Sequence, residues 1–257
     1  IISGFILITA ILFFAYAISV ILKQKRLSDI QKDFINNMTH ELKTPISTIG
    51  ISAKVISDPN ISTQPERLTK YASIISEQNK RLENQVEKVL QSTLSEKGRI
   101  SLEIEKLNVK DILSHIISSF ELKAREKNGE ITLVTNDSLI NIYADKSHFE
   151  NLIFNLLDNA IKYCSTNPKV IVSATLKDKK INLSIEDNGI GIPPSYQNKI
   201  FSKFFRVPTG DVHNVKGFGL GLHYVKNIVK AHGWKIHLES EQDKGSKFVI
   251  IVPIKKA

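Results

Sequence analysis

Residues 1–22 carry no charged side chain, and Lys23, Lys25 and Arg26 follow at once. As a helix rising about 1.5 Å per residue, that run spans about 33 Å, enough for a bilayer core. A secretory leader would place its basic residues before the apolar run rather than after it. A buried core helix is the alternative, and a wholly uncharged run with a basic edge argues against it. The expectation is a transmembrane helix over 1–22, with the basic flank and residues 23–257 on the cytoplasmic side of the cell membrane. The chain opens on Ile1 rather than Met, so it is expected to be a fragment with sequence missing upstream.

Beyond that run, a hydrophobic fraction of 42% and a charged fraction of 24% are ordinary globular values. The net charge of +9 comes without a zinc pattern, a helix-turn-helix signal or an aromatic-rich RNA motif. Anionic membrane lipid and a polyphosphate ligand are therefore the expected partners, and nucleic acid is not. Cys164 is the sole cysteine, which excludes an internal disulfide; it is read as core filler.

After a juxtamembrane linker over 23–33, apolar residues recur in steps of three and four: Phe34, Met38, Leu42, Ile46, Ile49, Ala53 and Ile56, with Ile30 upstream. That is one face of a helix. Asp58-Pro59-Asn60 breaks it, and a second stripe runs through Leu68, Tyr71, Ile75, Leu82, Val86 and Val89. Two such helices form an antiparallel hairpin over 34–97. Each stripe needs more cover than one partner gives. A homodimer closing a four-helix bundle is the economical reading, with a monomeric hairpin leaning on another domain as the alternative. Gly98 punctuates a hinge, and 98–257 reads as an α/β domain with helices on one face of a sheet. Its expected helices are Val109–Ala124, Lys146–Tyr163 and Leu220–Ala231. Its expected strands are 130–135, 139–144 pairing with it, 169–176, 180–186, 235–240 and 246–254.

On the helix from Lys146, Asn155, Asn159 and Lys162 share a face, with Tyr163 beside them. Amides and an ammonium there are costly without partners, and they suit a hard cation and a phosphate; a polar stripe facing water is the alternative. Asp187-Asn188-Gly189-Ile190-Gly191 follows a strand, where a carboxylate can accept from an exocyclic amine. Gly217-Phe218-Gly219-Leu220-Gly221 opens a helix, an anion-binding arrangement. It is neither the Rossmann fingerprint nor a Walker A loop. Earlier, His40-Glu41-Leu42-Lys43-Thr44-Pro45 sets an imidazole roughly opposite the apolar stripe with a carboxylate beside it. A neutral imidazole is a nucleophile, and Glu41 can orient it and take its proton. Pro45 removes a backbone donor, so a bend is expected near the nucleophile.

The order of these pieces resembles the bacterial two-component sensor histidine kinases. His40 to Pro45 is similar to that family's phosphoacceptor box, Asn155 to Tyr163 to its N box, and Asp187 to Gly191 and Gly217 to Gly221 to its two glycine boxes. Ile200-Phe201-Ser202-Lys203-Phe204-Phe205-Arg206 resembles the F box. The resemblance covers about Leu27 onward and implies a multidomain chain: transmembrane helix, dimeric helical hairpin, and a Bergerat-type α/β ATP-binding sandwich shared with gyrase-like and chaperone ATPases, which lack the histidine hairpin.

It further implies ATP and Mg²⁺. The residue matching Asn159 binds the metal, that matching Asn155 lies beside it, that matching Lys162 contacts phosphate, and that matching Tyr163 packs on adenine. Asp187 would take the adenine amino group, and Gly189, Gly191, Gly217, Gly219 and Gly221 would shape the pocket and its lid. Arg206 and Lys162 are candidates to steady the transferred phosphoryl group. The implied reaction is phosphorylation of His40 from ATP and transfer to an aspartate of a response regulator receiver domain. A polar residue matching Thr44 orients water in dephosphorylation of the regulator, which suggests a phosphatase activity; an ordinary small helix residue is the alternative. The other histidines sit in no such box and are read as structural. The stretch from Lys23 to Asp33 leaves no room for the relay domain that many family members insert there. The membrane helix is thus expected to run almost directly into the first bundle helix.

Overall fold

A computed structural model describes residues 2–94, 100–136, 140–178, 180–207 and 218–254. The chain divides into two compact units, Ile1–Leu82 and Glu83–Ala257.

In the first unit a single helix, α1 (Ile2–Ile56), runs for 55 residues, through the juxtamembrane stretch and through Pro45 without interruption. Its N-terminal apolar window has a mean hydropathy of 2.7, and none of it is buried. Phenyl and aliphatic side chains from Phe5 to Leu22 stand exposed, which water disfavours and a hydrocarbon layer would not. The helix ends where Asp58 accepts the Asn60 N–H at 2.9 Å, opening a 3₁₀ turn at Pro59–Thr63 with Ile61 buried beneath it. The return helix α2 (Pro65–Leu94) begins with Pro at its first position and Glu66 in its first turn, where the dipole favours an anion.

The most deeply buried residues of α1 are Pro45 and Ser52. Phe34, Met38, Leu42 and Ile49 are half-buried, whereas Ile35, Ile46 and Ile51 are 59%, 56% and 63% exposed. The apolar stripe read from sequence is therefore rotated slightly, with Pro45 and Ser52 the most deeply buried and Ile46 on the open side. One hairpin leaves that apolar surface uncovered.

The second unit is a two-layer α/β sandwich. Its five-stranded sheet has the order β2-β4-β5-β7-β6, formed by β2 (Glu130–Thr135), β4 (Lys169–Lys177), β5 (Lys180–Asp187), β6 (Lys235–Glu241) and β7 (Gly245–Pro253). β2 and β4 are parallel, and the other neighbours are antiparallel. Helices α3 (Val109–Arg125), α4 (Lys146–Lys162) and α6 (Gly221–Ala231) supply the second layer, and a short α5 (Pro194–Gln197) lies in the loop after β5. Val170, Val172 and Ala174 on β4, Ile181, Leu183 and Ile185 on β5, and Phe248, Ile250 and Val252 on β7 alternate inward against Leu113, Ile153 and Leu156. Each of these side chains other than Ala174 contributes about 1.5–3 kcal/mol by leaving water.

The expected partner of the strand near 139–144 is corrected. β3 (Asn141–Asp145) pairs antiparallel with β1 (Ile104–Asn108), not with β2, whose pairing edge is taken by β4. β1 was not foreseen because Glu105 and Lys106 hide its one buried residue, Leu107.

Two caps fix the helices that matter for the site. Asp145 caps α4: its Oδ1 accepts the His148 N–H at 2.9 Å and the Ser147 hydroxyl at 2.8 Å, and its Oδ2 accepts the Glu103 N–H at 3.0 Å. Burial alone would raise this carboxyl, but those donors outweigh it and hold it below the usual range. At the other end, Lys127 Nζ donates to the Ile161 and Cys164 carbonyls, each at 2.8 Å, satisfying orphaned acceptors of the last turn.

Candidate functional site

The end of α4 is where the amide and ammonium residues of the sequence meet the glycine loops. Asn155 Nδ2 donates to the Asn151 carbonyl at 2.7 Å, which orients its Oδ1 toward α6. A Cβ on Gly221 would fall 2.7 Å from that Oδ1, so a larger residue at the start of α6 would have to turn the Asn155 carboxamide aside. The Asn159 carboxamide makes no hydrogen bond among the described residues although it is half-buried, and is thus left with an uncommitted oxygen. Lys162 Nζ stands 5.2 Å from the Tyr163 ring centroid. Burial raises the Tyr163 phenol; the nearby Arg206 guanidinium pulls it back and Asp158 pushes it up. Arg206 of the F-box-like segment therefore lies close enough to Tyr163 for its charge to be felt.

The two glycine segments pack backbone on backbone. Gly189 sits where a Cβ would be 2.7 Å from the Tyr163 carbonyl, and the Ile190 N–H donates to that same carbonyl at 3.1 Å. Gly219, at φ +69°, would place a Cβ 2.7 Å from the carbonyl carbon of Phe204, itself in the left-handed region at φ 64°. The F-box-like and second glycine segments thus interlock through two residues of unusual conformation. Gly217 lies outside the described residues.

Asp187 ends β5 at the floor of this region. Its Oδ1 accepts the Gly189 N–H at 2.9 Å and the Ser246 N–H at 3.3 Å. Burial pushes the carboxyl up to about 6; the two N–H bonds oppose this and the Glu186 charge adds to it. Because the folded value exceeds the unfolded one, the protein without nucleotide gains stability as pH falls through 6 toward 4 and loses it as pH rises. A ligand N–H bound by the carboxylate obeys the opposite rule, binding above 6 and weakening up to tenfold per pH unit below it. Thermal melts from pH 5 to 8, with and without nucleotide, should show both trends in the wild type; Asp187→Asn should flatten the first by on the order of 2 kcal/mol and abolish the second.

Sequence reading did not find the residues that brace this floor. Ser240 accepts the Ile192 N–H at 2.8 Å, and Gln197 Nε2 donates to the carbonyls of Ile192 and Ser240, each at 2.9 Å. The Asp243 N–H donates to the Ile190 carbonyl at 2.8 Å. The signal available was the β6–β7 hairpin, which sets Ser240 opposite Ser246.

In the hairpin unit, His40 is exposed on α1. Glu41 next to it turns inward, 15% exposed, with its Oε2 3.8 Å from an Arg81 nitrogen on α2. Thr44 Oγ1 donates back to the His40 carbonyl at 3.4 Å. An exposed imidazole thus adjoins a carboxylate whose direction is set by a cation from the second helix.

A helical hairpin bearing such an imidazole, joined to a Bergerat-type α/β sandwich with an acid-floored, glycine-edged site, defines a class of ATP-dependent phosphotransfer proteins. Comparison agrees. Residues 30–98 match the family described as His Kinase A (phospho-acceptor) domain, and residues 144–256 match the Histidine kinase-, DNA gyrase B-, and HSP90-like ATPase family. Sensor protein RprX of Bacteroides fragilis (strain YCH46) is 41% identical over 251 residues, covering 97% of this chain and 48% of that protein. Sensor protein SrrB of Staphylococcus aureus (strain MRSA252) is 28% identical over 230 residues, covering 90% and 39%. Histidine kinase ThkA in complex with response regulator protein TrrA superposes with a TM-score of 0.59 at 27% identity, over 90% of this chain and 63% of that one. The chain belongs to the two-component sensor histidine kinases, and it spans about half the length, or less, of the curated relatives it matches.

Proposed function

We propose that the protein is a membrane-anchored sensor kinase that phosphorylates His40 from ATP and passes the phosphoryl group to an aspartate of a response regulator receiver domain. One observation carries this reading: a phosphoacceptor-type hairpin and an acid-floored nucleotide-type site occur in the same chain. In the reaction, an imidazole nitrogen of His40 attacks the γ-phosphorus, the bond from that phosphorus to the bridging oxygen breaks, and ADP leaves. Glu41, held by Arg81, takes the proton from the other ring nitrogen. Asp187 receives the adenine amino group, Tyr163 flanks the base, and Asn155, Lys162 and Arg206 face the phosphates. The residues fit a bound Mg²⁺ through the uncommitted carboxamide oxygen of Asn159, a hard donor; the metal supplies charge compensation for the triphosphate when bound. Gly189, Gly191, Gly219 and Gly221 keep side chains out of the cleft, and Gly217 belongs to the proposed lid.

The exposed Ile35, Ile46 and Ile51 support a homodimer in which a second hairpin covers them. The exposed apolar segment of α1 with its basic flank supports anchoring in anionic membrane lipid, with residues 23–257 in the cytoplasm. Thr44, one turn from His40, is assigned to a phosphatase activity on the regulator.

The decisive experiment incubates the chain in detergent with γ-labelled ATP and Mg²⁺. An acid-labile, alkali-stable label on the protein is expected; ATP turnover without labelling would make it an ATPase instead. Because α1 is continuous, one to three residues inserted after Lys25 should change labelling in step with about 100° of rotation each. Equal labelling in all three insertions would refute direct coupling.

A further inference from the structure

Strand register sets Ser240 of β6 beside Ser246 of β7, and Ser246 beside Asp187 of β5, in one row across the end of the sheet. The protons along this row can be assigned. Ser240 Oγ lies 2.9 Å from the Gly245 carbonyl, which has no proton to give, so the Ser240 proton goes there. The same oxygen accepts the Ile192 N–H at 2.8 Å. Its remaining contact, with Ser246 Oγ at 2.9 Å, therefore requires the Ser246 proton. Ser246 is left with lone pairs only. Beside it, Asp187 Oδ1 is filled by the N–H groups of Gly189 and Ser246, and Oδ2 takes no hydrogen bond among the described residues. Two neighbouring atoms at the floor of the site, Asp187 Oδ2 and Ser246 Oγ, are thus acceptors with nothing donated to them among the described residues.

We infer that Ser240 is a specificity-determining residue of the nucleotide site. By drawing the Ser246 proton away, it keeps Ser246 an acceptor beside Asp187, so that the site takes a purine whose edge offers a 6-amino group and rejects a 6-oxo purine. This rests on the ATP-site reading above. A 6-amino group donates to both acceptors; a 6-oxo group sets its own lone pairs against theirs and leaves them unpaired. Without Ser240, the Ser246 hydroxyl can rotate and donate to a carbonyl oxygen. Ser240 need not touch the base itself; it acts through the direction of one O–H bond.

The test compares ATP with inosine triphosphate, which carries oxygen in place of the 6-amino group. Dissociation constants are measured on the whole chain in detergent micelles. The wild type should prefer ATP by at least about 100-fold. Ser240→Ala should cut that preference about tenfold, largely through tighter binding of inosine triphosphate, and Ser240→Thr, which keeps the hydroxyl, should restore it. Should Ser240→Ala fail to melt cooperatively, Ser246→Ala serves in its place, weakening ATP while leaving inosine triphosphate unchanged. If either alanine variant shifts both nucleotides by one common factor, Ser240 is only a brace for the loop and the inference is overturned. A folded wild type that binds neither nucleotide overturns the ATP-site reading as well, which separates the two failures.

Discussion

Replacing His40 with Gln should abolish labelling from γ-labelled ATP while leaving ATP affinity within about twofold of the wild type. The side chain is exposed on a long helix, so its removal costs the fold little, within about 0.5 kcal/mol. Glutamine keeps helix propensity and polarity but offers an amide whose nitrogen lone pair is delocalised and does not attack phosphorus. Asn159→Ala should also lose the label, for a different reason: it removes the uncommitted oxygen assigned to Mg²⁺. The two variants are told apart by titration with and without the metal. His40→Gln should keep the metal's enhancement of ATP binding and Asn159→Ala should lose it. Label persisting on His40→Gln would show that another residue is the acceptor and would remove the foundation of the proposed function.

Gly191→Ala should be among the most destructive single methyl groups that can be added to the ATP-binding unit. At φ +62° an alanine already costs about 1–2 kcal/mol. Its Cβ would also lie 1.9 Å from the Glu241 carbonyl oxygen and 2.7 Å from its carbon, a backbone that cannot swing aside like a side chain. Relief requires moving the β6–β7 turn, which breaks the Ile192–Ser240 and Asp243–Ile190 hydrogen bonds and shifts Ser246 away from Asp187. The total cost should be about 3–5 kcal/mol, lowering Tm by about 10 °C and removing measurable ATP binding. Gly233→Ala is the control: its φ is +73°, but nothing lies within 4 Å of the added Cβ. It should cost only about 1–2 kcal/mol and leave binding intact. Equal Tm losses in the two variants would mean that the turn yields and the packing argument fails.

The contrast between these residues marks what the sequence could and could not disclose. Helical periodicity is local, so α1, α2, α3, α4 and α6 were legible, as were β4, β5, β6 and β7 from their alternation. Asp187 and the glycine positions could be recognised from short runs of neighbours. Ser240, Ser246 and Gln197 could not, because their meaning lies in strand register and in contacts across more than forty positions, as between Gln197 and Ser240. β1 was hidden for a related reason: three of its five residues face solvent, and only pairing with β3 makes it a strand. The burial of Pro45 and Ser52 was missed because an apolar pattern looks for large side chains.

The dependence of Asp187 on the Ser246 N–H has an outcome in time as well as in space. β7 follows every other element described here in chain order, and it supplies both the inner strand of the sheet's closing hairpin and the donor that fixes the acid. During synthesis, therefore, the acid at the end of β5 stays without its Ser246 donor until the seventh strand has cleared the ribosome. A chain interrupted before β7 keeps its histidine hairpin but lacks a finished acid site, so a truncated product is inert rather than unregulated.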